Sequence, residues 1–249
     1  MRSNAMRVAA DSRQAVVVPV EERLIVALDL PDRTSAIRMV DKLGDNVRFY
    51  KIGLELQMAG GFAIAEVLIK RGKKIFLDSK LFDIAETVKG AVANVANLGV
   101  DFLTVHGNGQ IISAAMEGRG SNPLKILSVT VLTSLDAHDI QDLGFTCSIN
   151  DLVMLRVRKA LDAGCDGVIA SGQEAREIRD FAGRSLIIVS PGIRSVGVAK
   201  HDQKRTTAPA EAIAAGADYL VVGRQITTSP DPAREAARVL EEIDTALGA

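Results

Sequence analysis

The sequence predicts a single (β/α)8 barrel, on the strength of its periodicity and its length. Short apolar runs rich in β-branched residues alternate with longer segments of helical period along the chain. The chain has 249 residues, and about 250 is the usual size of one such barrel. The eight predicted strands are residues 24–28, 49–52, 74–77, 102–105, 124–132, 167–170, 186–189 and 219–222.

Amphipathic segments lie between these strands. The predicted helices are residues 35–43, 63–70, 84–98, 152–163, 174–181, 208–215 and 232–247. Strands joined through helices run parallel, and their nearly continuous apolar character indicates that both faces of the sheet are covered. A doubly wound open sheet is the alternative. It ranks second because no Gly-x-Gly-x-x-Gly turn follows the first strand.

A repeated Gly-x-Asp motif precedes three of the strands. The three copies are Gly99-Val100-Asp101, Gly164-Cys165-Asp166 and Gly216-Ala217-Asp218. A glycine after the last helical turn ends a helix without Cβ strain, and the aspartate then turns the chain into the next strand. These motifs are therefore predicted to be the loops that lead from helix to strand.

Residues 21–249 are predicted to form one barrel domain, because no shift in composition marks a second one. Residues 1–20 are assigned to an N-terminal extension. Within it, Ser3-Asn4-Ala5 before Met6 resembles the remnant of an expression tag, so this segment is left out of the fold prediction.

Composition argues against nucleic acid and membrane partners. The chain has 30 Lys and Arg against 31 Asp and Glu, a formal net charge of -1, 4% aromatic residues and no Trp. The two cysteines, Cys147 and Cys165, are too few for a disulfide framework and lack metal-ligand spacing. No apolar run is long enough for a signal core or a bilayer span. A reducing, cytoplasmic compartment is therefore predicted.

Polar residues follow the predicted strands. Asp29 and Lys51 end the first two strands, and Asp78 and Lys80 follow the third. Side chains two apart on an extended strand point the same way, so Asp78 and Lys80 are expected to enter one cavity and Ser79 is not. In a barrel of this type the carboxyl ends of the strands form the active site, which predicts a polar pocket over an apolar core.

Asp83 has two interpretations. The segment Asp83-Ile-Ala-Glu86 has the form of a capping box, so that Asp83 would only cap the next helix and Asp78 with Lys80 would be a structural ion pair. Two lysines and three acids at successive strand ends favour instead a preorganised network of alternating charge. Asp83 is therefore assigned to the candidate site.

A phosphate site is predicted at the last two strands, whose following loops often hold phosphate in such barrels. Gly223 lets the backbone approach an anion closely, and Arg224 supplies a forked donor. The polar loop of residues 195–205, which contains Gln203, is suited to folding over a ligand. The alternative is a surface loop beside a solvated arginine.

The segment Asp78-Ser-Lys80-Leu-Phe-Asp83-Ile-Ala-Glu-Thr87 carries the most specific motif. It resembles the Asp-x-Lys-x-x-Asp-Ile-Pro-Asn-Thr motif of the orotidine 5′-phosphate decarboxylase family, with Ala85 and Glu86 in place of Pro-Asn. The resemblance extends from about residue 24 to the C-terminus. It also includes Ala27-Leu28-Asp29, Tyr50-Lys51-Ile52-Gly53, residues 129–134, Pro191-Gly192-Ile193-Arg194, Asp202-Gln203 and Val222-Gly223-Arg224.

The resemblance implies decarboxylation of orotidine 5′-monophosphate to UMP, the last step of de novo pyrimidine synthesis, without cofactor or metal. The catalytic network that it implies is Lys51, Asp78, Lys80 and Asp83. Loss of CO2 leaves electrons in an in-plane orbital at C6 that the ring does not delocalise. Lys80 is therefore expected to stabilise this carbanion by its charge and to protonate it.

The resemblance also implies a set of substrate contacts and a homodimer. Asp83 and Thr87 are expected to reach into the partner subunit's site, and Arg194 to lie beside the closing loop. The other implied contacts are Asp29 and Lys51 to the ribose, Thr133 with Ser134 to the pyrimidine, Asp78 and Lys80 at the reacting carbon, and Gln203, Gly223 and Arg224 to the phosphate.

Two other functions stay open as alternatives. Sugar-phosphate decarboxylases and hexulose-phosphate synthases of the same barrel group share Asp-x-Lys-x-x-Asp but use Mg²⁺ to hold an enediolate. The absence of a further acidic ligand in the sequence, and the presence of Gln203 with Gly223-Arg224, favour the metal-free reaction. A catalytically silent phosphate-binding barrel is the second alternative, and the presence of both lysines together with the aspartates argues against it. The three histidines, His106, His138 and His201, lie on separate segments without metal spacing.

Overall fold

The computed structural model describes residues 18–198 and 205–248. Its strands are β1 (Leu24–Ala27), β2 (Phe49–Ile52), β3 (Lys74–Leu81), β4 (Phe102–His106), β5 (Lys125–Val129), β6 (Gly167–Ile169), β7 (Ile187–Ser190) and β8 (Tyr219–Val222). Each strand pairs in parallel with the next along the chain, and β8 returns to pair with β1. The predicted (β/α)8 barrel is confirmed, and the open-sheet alternative is wrong.

Helices surround the barrel. They are α1 (Val20–Arg23), α2 (Arg33–Leu43), α3 (Leu54–Met58), α4 (Gly61–Lys70), α5 (Ala85–Ala96), α6 (Gly109–Arg119), α7 (Ala137–Asp142), α8 (Ile149–Asp162), α9 (Ala175–Ala182), α10 (Pro209–Ala214), α11 (Arg224–Thr227) and α12 (Pro232–Leu247). The seven predicted helices all occur, whereas the longer helix α6 and the short helices α1, α3, α7 and α11 are not among the predicted ones. No helix within residues 18–198 or 205–248 is long and apolar enough to cross a bilayer.

The Gly-x-Asp motifs form loops from helix to strand, as predicted. Their glycines, Gly99, Gly164 and Gly216, all have positive φ. Each aspartate also accepts a hydrogen bond from a backbone N–H of the preceding strand. The pairs are Asp101 with Ile75, Asp166 with Ile126 and Asp218 with Ile188, at 2.8 to 2.9 Å. The motif therefore both turns the chain and ties neighbouring strands together at the amino-terminal end of the barrel.

Aromatic side chains fill the interior of the barrel. The ring of Phe102 lies 4.9 Å from that of Phe49 and 5.1 Å from that of Tyr219, measured between centroids. Phe76 packs edge-on against Phe102 at 6.0 Å. These rings and the aliphatic side chains around them belong to one buried cluster inside the strands. The interior is thus a packed core that supports whatever lies above it.

Candidate active site

A pocket of about 600 Å³ opens at the carboxyl ends of the strands. Most of its apolar lining comes from strand residues and the loop after β5, among them Ala27, Phe76, Val129, Val131, Ile169 and Val221. The structure brings most of the predicted polar residues together here. Those lining the pocket are Asp29, Lys51, Asp78, Lys80, Thr133, Ser134, Arg194, Gly223 and Arg224. Most of the predicted site residues within 18–198 and 205–248 therefore share this cavity.

Four charged side chains form a row of alternating sign on one wall of the pocket. Nζ of Lys51 lies 2.9 Å from Oδ1 of Asp29 and 3.4 Å from Oδ2 of Asp78. Nζ of Lys80 lies 2.8 Å from the same Oδ2 of Asp78. Asp78 therefore stands between two ammonium groups, and Lys51 stands between two carboxylates. We call these four residues, Asp29, Lys51, Asp78 and Lys80, the charge row.

The central pair of the charge row stays ionised. Burial disfavours the charge of Asp78, but the Lys51 and Lys80 ammonium groups outweigh burial and lower the pKa of Asp78. Burial likewise disfavours the charge of Lys51, but the carboxylates of Asp78 and Asp29 outweigh it and raise the pKa of Lys51. Both groups therefore keep their charge around neutral pH.

The backbone at Lys80 is strained. Its φ of 48° lies in the left-handed region, the one positive φ of a non-glycine residue in the described part of the chain. The pairing of β3 with β4 shifts register between Leu77 and Leu81, so Lys80 lies in a bulge. A non-glycine residue in this conformation costs of order 1–3 kcal/mol, and such strain clusters at functional sites. Asp78 and Lys80 do share one pocket, but a bulge rather than a regular strand brings them there.

Two buried side chains that were not predicted hold this bulge. The hydroxyl of Ser79 points away from the pocket, as expected, and donates to Oε1 of Gln57 at 2.9 Å. Gln57 in turn donates to the carbonyl of Ile52 on β2 at 2.7 Å. On the pocket side, Thr104 of β4 contacts both Asp78 and Lys80. No sequence motif marks these two residues, because Gln57 of α3 and Thr104 of β4 contact β3 only in the folded chain.

Gly53, directly after β2, makes room for the charge row. An added Cβ atom at this position would lie 2.6 Å from Oδ1 of Asp29 and 2.9 Å from Nζ of Lys51. Both distances are shorter than real Cβ contacts. Any larger residue would therefore displace this ion pair. In the sequence, a glycine directly after a predicted strand is the sign of this close packing.

Asp83 and Thr87 lie outside the pocket of their own chain. Both are exposed, and Oδ1 of Asp83 accepts a hydrogen bond only from the next backbone N–H, that of Ile84, at 2.7 Å. Helix α5 begins at Ala85, with Ile84 as its N-cap and no side-chain cap. The capping-box interpretation of Asp83 is therefore wrong, and the helix begins one residue after its predicted start at residue 84. Within a single chain, Asp83 is therefore not part of the charge row.

Two arginines line the pocket near the carboxyl ends of β7 and β8. Arg194 is buried and donates to the carbonyl of Ile193 at 2.6 Å. Burial, and then the positive charge of Arg224, lower the pKa of Arg194. Arg224 directly follows Gly223 at the start of α11. Two guanidinium groups that line one pocket are suited to binding an anion.

The loop of residues 195–205 is fastened at both described ends. Ser195 and Gln225 exchange two hydrogen bonds, of 2.8 and 3.0 Å. At the other end, the Arg205 guanidinium pairs with the buried Glu174, and the Arg205 backbone N–H donates to the carbonyl of Thr133 at 3.3 Å. Gln203 lies outside the described residues. These described ends thus contact α11 through Gln225 and the loop after β5 through Thr133.

His106 and His138 do not line the pocket, and His201 lies outside the described residues. His106 is half-buried and packs against the ring of Phe82 at 5.1 Å. Burial and the charges of Arg156 and Lys80 lower its pKa, which keeps the imidazole neutral at pH 7. Within the described ranges, no three His, Cys, Asp or Glu side chains are arranged to hold a metal ion.

Comparisons with known proteins show the family to which the chain is related. The family described as "Orotidine 5'-phosphate decarboxylase / HUMPS family" matches residues 22–239. Orotidine 5'-phosphate decarboxylase of Nitrobacter winogradskyi is 53% identical over 226 residues, 91% of this chain and 94% of that protein. The protein of that name from Rhodopseudomonas palustris strain CGA009 is 50% identical over 233 residues, 94% of this chain and 98% of that protein.

A solved structure shows the same likeness in three dimensions. The crystal structure of orotidine 5'-phosphate decarboxylase from Lactobacillus acidophilus is 32% identical, with a TM-score of 0.79. The alignment covers 90% of this chain and 99% of that one. Sequence and structure therefore agree over nearly the whole barrel, and the chain belongs to the orotidine 5′-phosphate decarboxylase / HUMPS family.

Proposed function

We propose that the chain decarboxylates orotidine 5′-monophosphate to UMP, the final step of pyrimidine nucleotide synthesis, in the cytoplasm and without metal or cofactor. The observation that carries this proposal is the charge row in a pocket that Arg194 and Arg224 also line. The names of the relatives support it, because the proteins that cover most of this chain are orotidine 5'-phosphate decarboxylases.

Lys80 is the proposed catalytic group. When the bond from C6 to the carboxylate breaks, the electron pair stays on C6 and CO2 leaves. An ammonium group that faces C6 stabilises this carbanion in the transition state and then donates the proton that completes UMP. Asp78, 2.8 Å from Nζ of Lys80, pairs with the ammonium group and fixes its direction. Lys80 then recovers its proton from solvent.

The rest of the pocket is proposed to bind the nucleotide. The two arginines and Gly223 take the phosphate with Gln203, and Asp29 with Lys51 takes the ribose. Thr133 and Ser134, which line the pocket at the loop after β5, are proposed to hydrogen-bond the pyrimidine. If the rate enhancement approaches the upper range of roughly 10¹⁷, about 23 kcal/mol of differential stabilisation is needed. One ion pair does not supply that, so phosphate and ribose contacts contribute by assembling the site.

We propose a homodimer in which Asp83 and Thr87 complete the partner subunit's site. Asp83 lies between two apolar side chains that point into solvent, Phe82 at 68% and Ile84 at 72% exposure. Apolar residues this exposed beside an active-site rim are typical of a surface that a second copy covers. The exposed carboxylate of Asp83 then has its charge partner, Lys80, across the interface.

The hexulose-phosphate branch of the family is the competing function. A metal-dependent enzyme needs carboxylates that are free to bind a cation. Here the Asp78 carboxylate is already held by two ammonium groups, and the Asp29 carboxylate by one. This pairing favours the metal-free reaction.

The test is a spectroscopic assay of the loss of orotidine 5′-monophosphate, with and without a chelator such as EDTA. We expect turnover to UMP at equal rates in both conditions. Absence of turnover, or activity that is lost with EDTA and restored by Mg²⁺, would overturn the proposal.

A further inference from the structure

Thr104 lies inside the barrel, directly below the charge row. It belongs to β4, is fully buried, and is paired in register with Leu127 of β5. Its neighbours along β4 alternate, with Phe102 in the interior cluster and Leu103 and Val105 packed against the outer layer. Most inward-facing side chains of the strands are apolar, so a buried hydroxyl at this position calls for a reason.

The hydroxyl of Thr104 makes two hydrogen bonds, both to β3. It accepts one from the backbone N–H of Lys80 at 2.9 Å, and it donates one to Oδ1 of Asp78 at 2.9 Å. The hydroxyl hydrogen is donated to the Asp78 carboxylate, and a lone pair of the hydroxyl oxygen accepts the backbone N–H of Lys80. One oxygen atom therefore links the backbone of the lysine to the side chain of its acidic partner.

The first of these bonds lies where β3 leaves the regular ladder. The bulge shifts the pairing of β3 with β4 between Leu77 and Leu81, and a bulged residue loses its ladder partner. Thr104 supplies the acceptor that this backbone N–H would otherwise lack. The strained φ of Lys80 is thus held by a side chain of the next strand.

The second bond gives the two oxygens of the Asp78 carboxylate different partners. Oδ1 is held by Thr104, and Oδ2 receives both Lys80 and Lys51. With Oδ1 fixed, rotation of the carboxylate about its Cβ–Cγ bond is blocked. Oδ2 then stays directed at the two ammonium groups.

We infer that Thr104 is a positioning residue for the reaction. Its hydroxyl holds the backbone of Lys80 and the carboxylate of Asp78 in one geometry, and so aims the Lys80 ammonium at the reacting carbon. Thr104 does not line the pocket, so it acts through these two residues and not on the substrate. The role in turnover rests on the proposed function, whereas the role in holding the bulge does not.

The main test compares Thr104→Val, which keeps the shape and removes the hydroxyl, with Thr104→Ser, which keeps the hydroxyl. We expect kcat of the valine variant to fall at least about tenfold, with KM within about threefold of wild type, because the phosphate and ribose contacts are unchanged. The serine variant is expected to stay within about threefold of wild-type kcat. A valine variant with wild-type kcat, or a loss that appears only in KM, would overturn the inference.

Thr130→Val is the matched control. Thr130 is also a fully buried threonine, and its hydroxyl donates to the carbonyl of Ile169 at 2.8 Å, away from Lys80. We expect this variant to lose stability but to keep wild-type kcat. An equal loss of kcat in both valine variants would mean that any buried hydroxyl matters, and would overturn the specific role of Thr104.

Two further measurements keep the inference testable if the valine variant does not fold or if the wild type proves inactive on orotidine 5′-monophosphate. Thr104→Cys differs from Thr104→Ser in one atom and bonds weakly, so its kcat is expected at least about tenfold below that of the serine variant. Equal kcat values for these two would overturn the inference.

Crystal structures of the serine and cysteine variants give a readout that does not depend on activity. We expect Lys80 to keep its positive φ and its contact with Asp78 in the serine variant. In the cysteine variant the contact lengthens or φ of Lys80 changes. An unchanged bulge in the cysteine variant would refute the positioning role. A wild type that is inactive on the nucleotide would refute only the proposed function.

Discussion

Gly53 leaves the space that the Asp29 carboxylate occupies. A Cβ atom at position 53 would approach Oδ1 of Asp29 to 2.6 Å, and the atoms that it meets are the free ends of side chains. Such ends move without unfolding the barrel. We therefore expect Gly53→Ala to fold normally, with kcat/KM lowered by roughly 10- to 100-fold because the Asp29–Lys51 pair shifts.

The control for this variant is Gly109→Ala, since a Cβ atom at Gly109 meets nothing within 4 Å. Steady-state kinetics and thermal unfolding of both variants check the prediction. Wild-type kcat/KM in Gly53→Ala would show that the ion pair tolerates displacement.

Arg224→Ala should act on the phosphate. A charge-assisted hydrogen bond to a buried anion is worth about 1.5–3 kcal/mol, so kcat/KM for orotidine 5′-monophosphate should fall roughly 10- to 150-fold. The same substitution should leave kcat/KM for orotidine unchanged, because that substrate has no phosphate. Equal losses on both substrates would argue that Arg224 has another role.

Mixing two inactive variants tests the proposed dimer. A hybrid of Lys80→Ala and Asp83→Ala subunits has one site with both substitutions and one site with neither. After random exchange of equal amounts, half of the dimers are hybrids, so about a quarter of all sites regain activity. No recovery, in a mixture shown to exchange subunits, would mean that Lys80 and Asp83 do not act across the interface.

The charge row predicts a broad pH plateau. The lowered pKa of Asp78 means that its contribution to folding stability is present above the pKa of an unfolded aspartate, about 4, and is lost as the pH falls through its folded value. The raised pKa of Lys51 means that its contribution is present below about 10 and is lost as the pH rises through its folded value.

Between these limits neither group titrates, so the difference in unfolding free energy between the wild type and Asp78→Asn should be constant from about pH 5 to 9. Urea unfolding at several pH values measures it. A difference that changes steadily across this range would contradict the assigned charge states.

The barrel was predictable because its signals are local. Strand runs, helical periodicity and the Gly-x-Asp motifs are each contained in a short segment, and the order of strands around a barrel follows the chain. Helix α6 was missed because Ile111, Ile112, Ala114 and Ala115 spread its buried residues over a weakly periodic segment. The predicted fifth strand ran to residue 132, but β5 ends at Val129, where the chain turns into the pocket wall.

The site was predictable only in part. The extended spacing predicts that Asp78 and Lys80 share one cavity, yet a bulge brings them there, and Thr104 of the next strand accepts a hydrogen bond from its backbone. The capping-box pattern at Asp83 was misleading, because Ile84 takes the N-cap position and leaves Asp83 exposed. Contacts between strands accompany the bulge, and no local sequence pattern records them.

Replacement of Lys80 tests the mechanism most directly, with Lys125→Ala, a surface lysine at the opposite end of the barrel, as the control. The measurement is single-turnover conversion of orotidine 5′-monophosphate, together with calorimetric binding of UMP. For Lys80→Ala we expect no detectable decarboxylation, with UMP affinity within about tenfold of wild type. Near-normal turnover by Lys80→Ala would contradict the role assigned to this lysine.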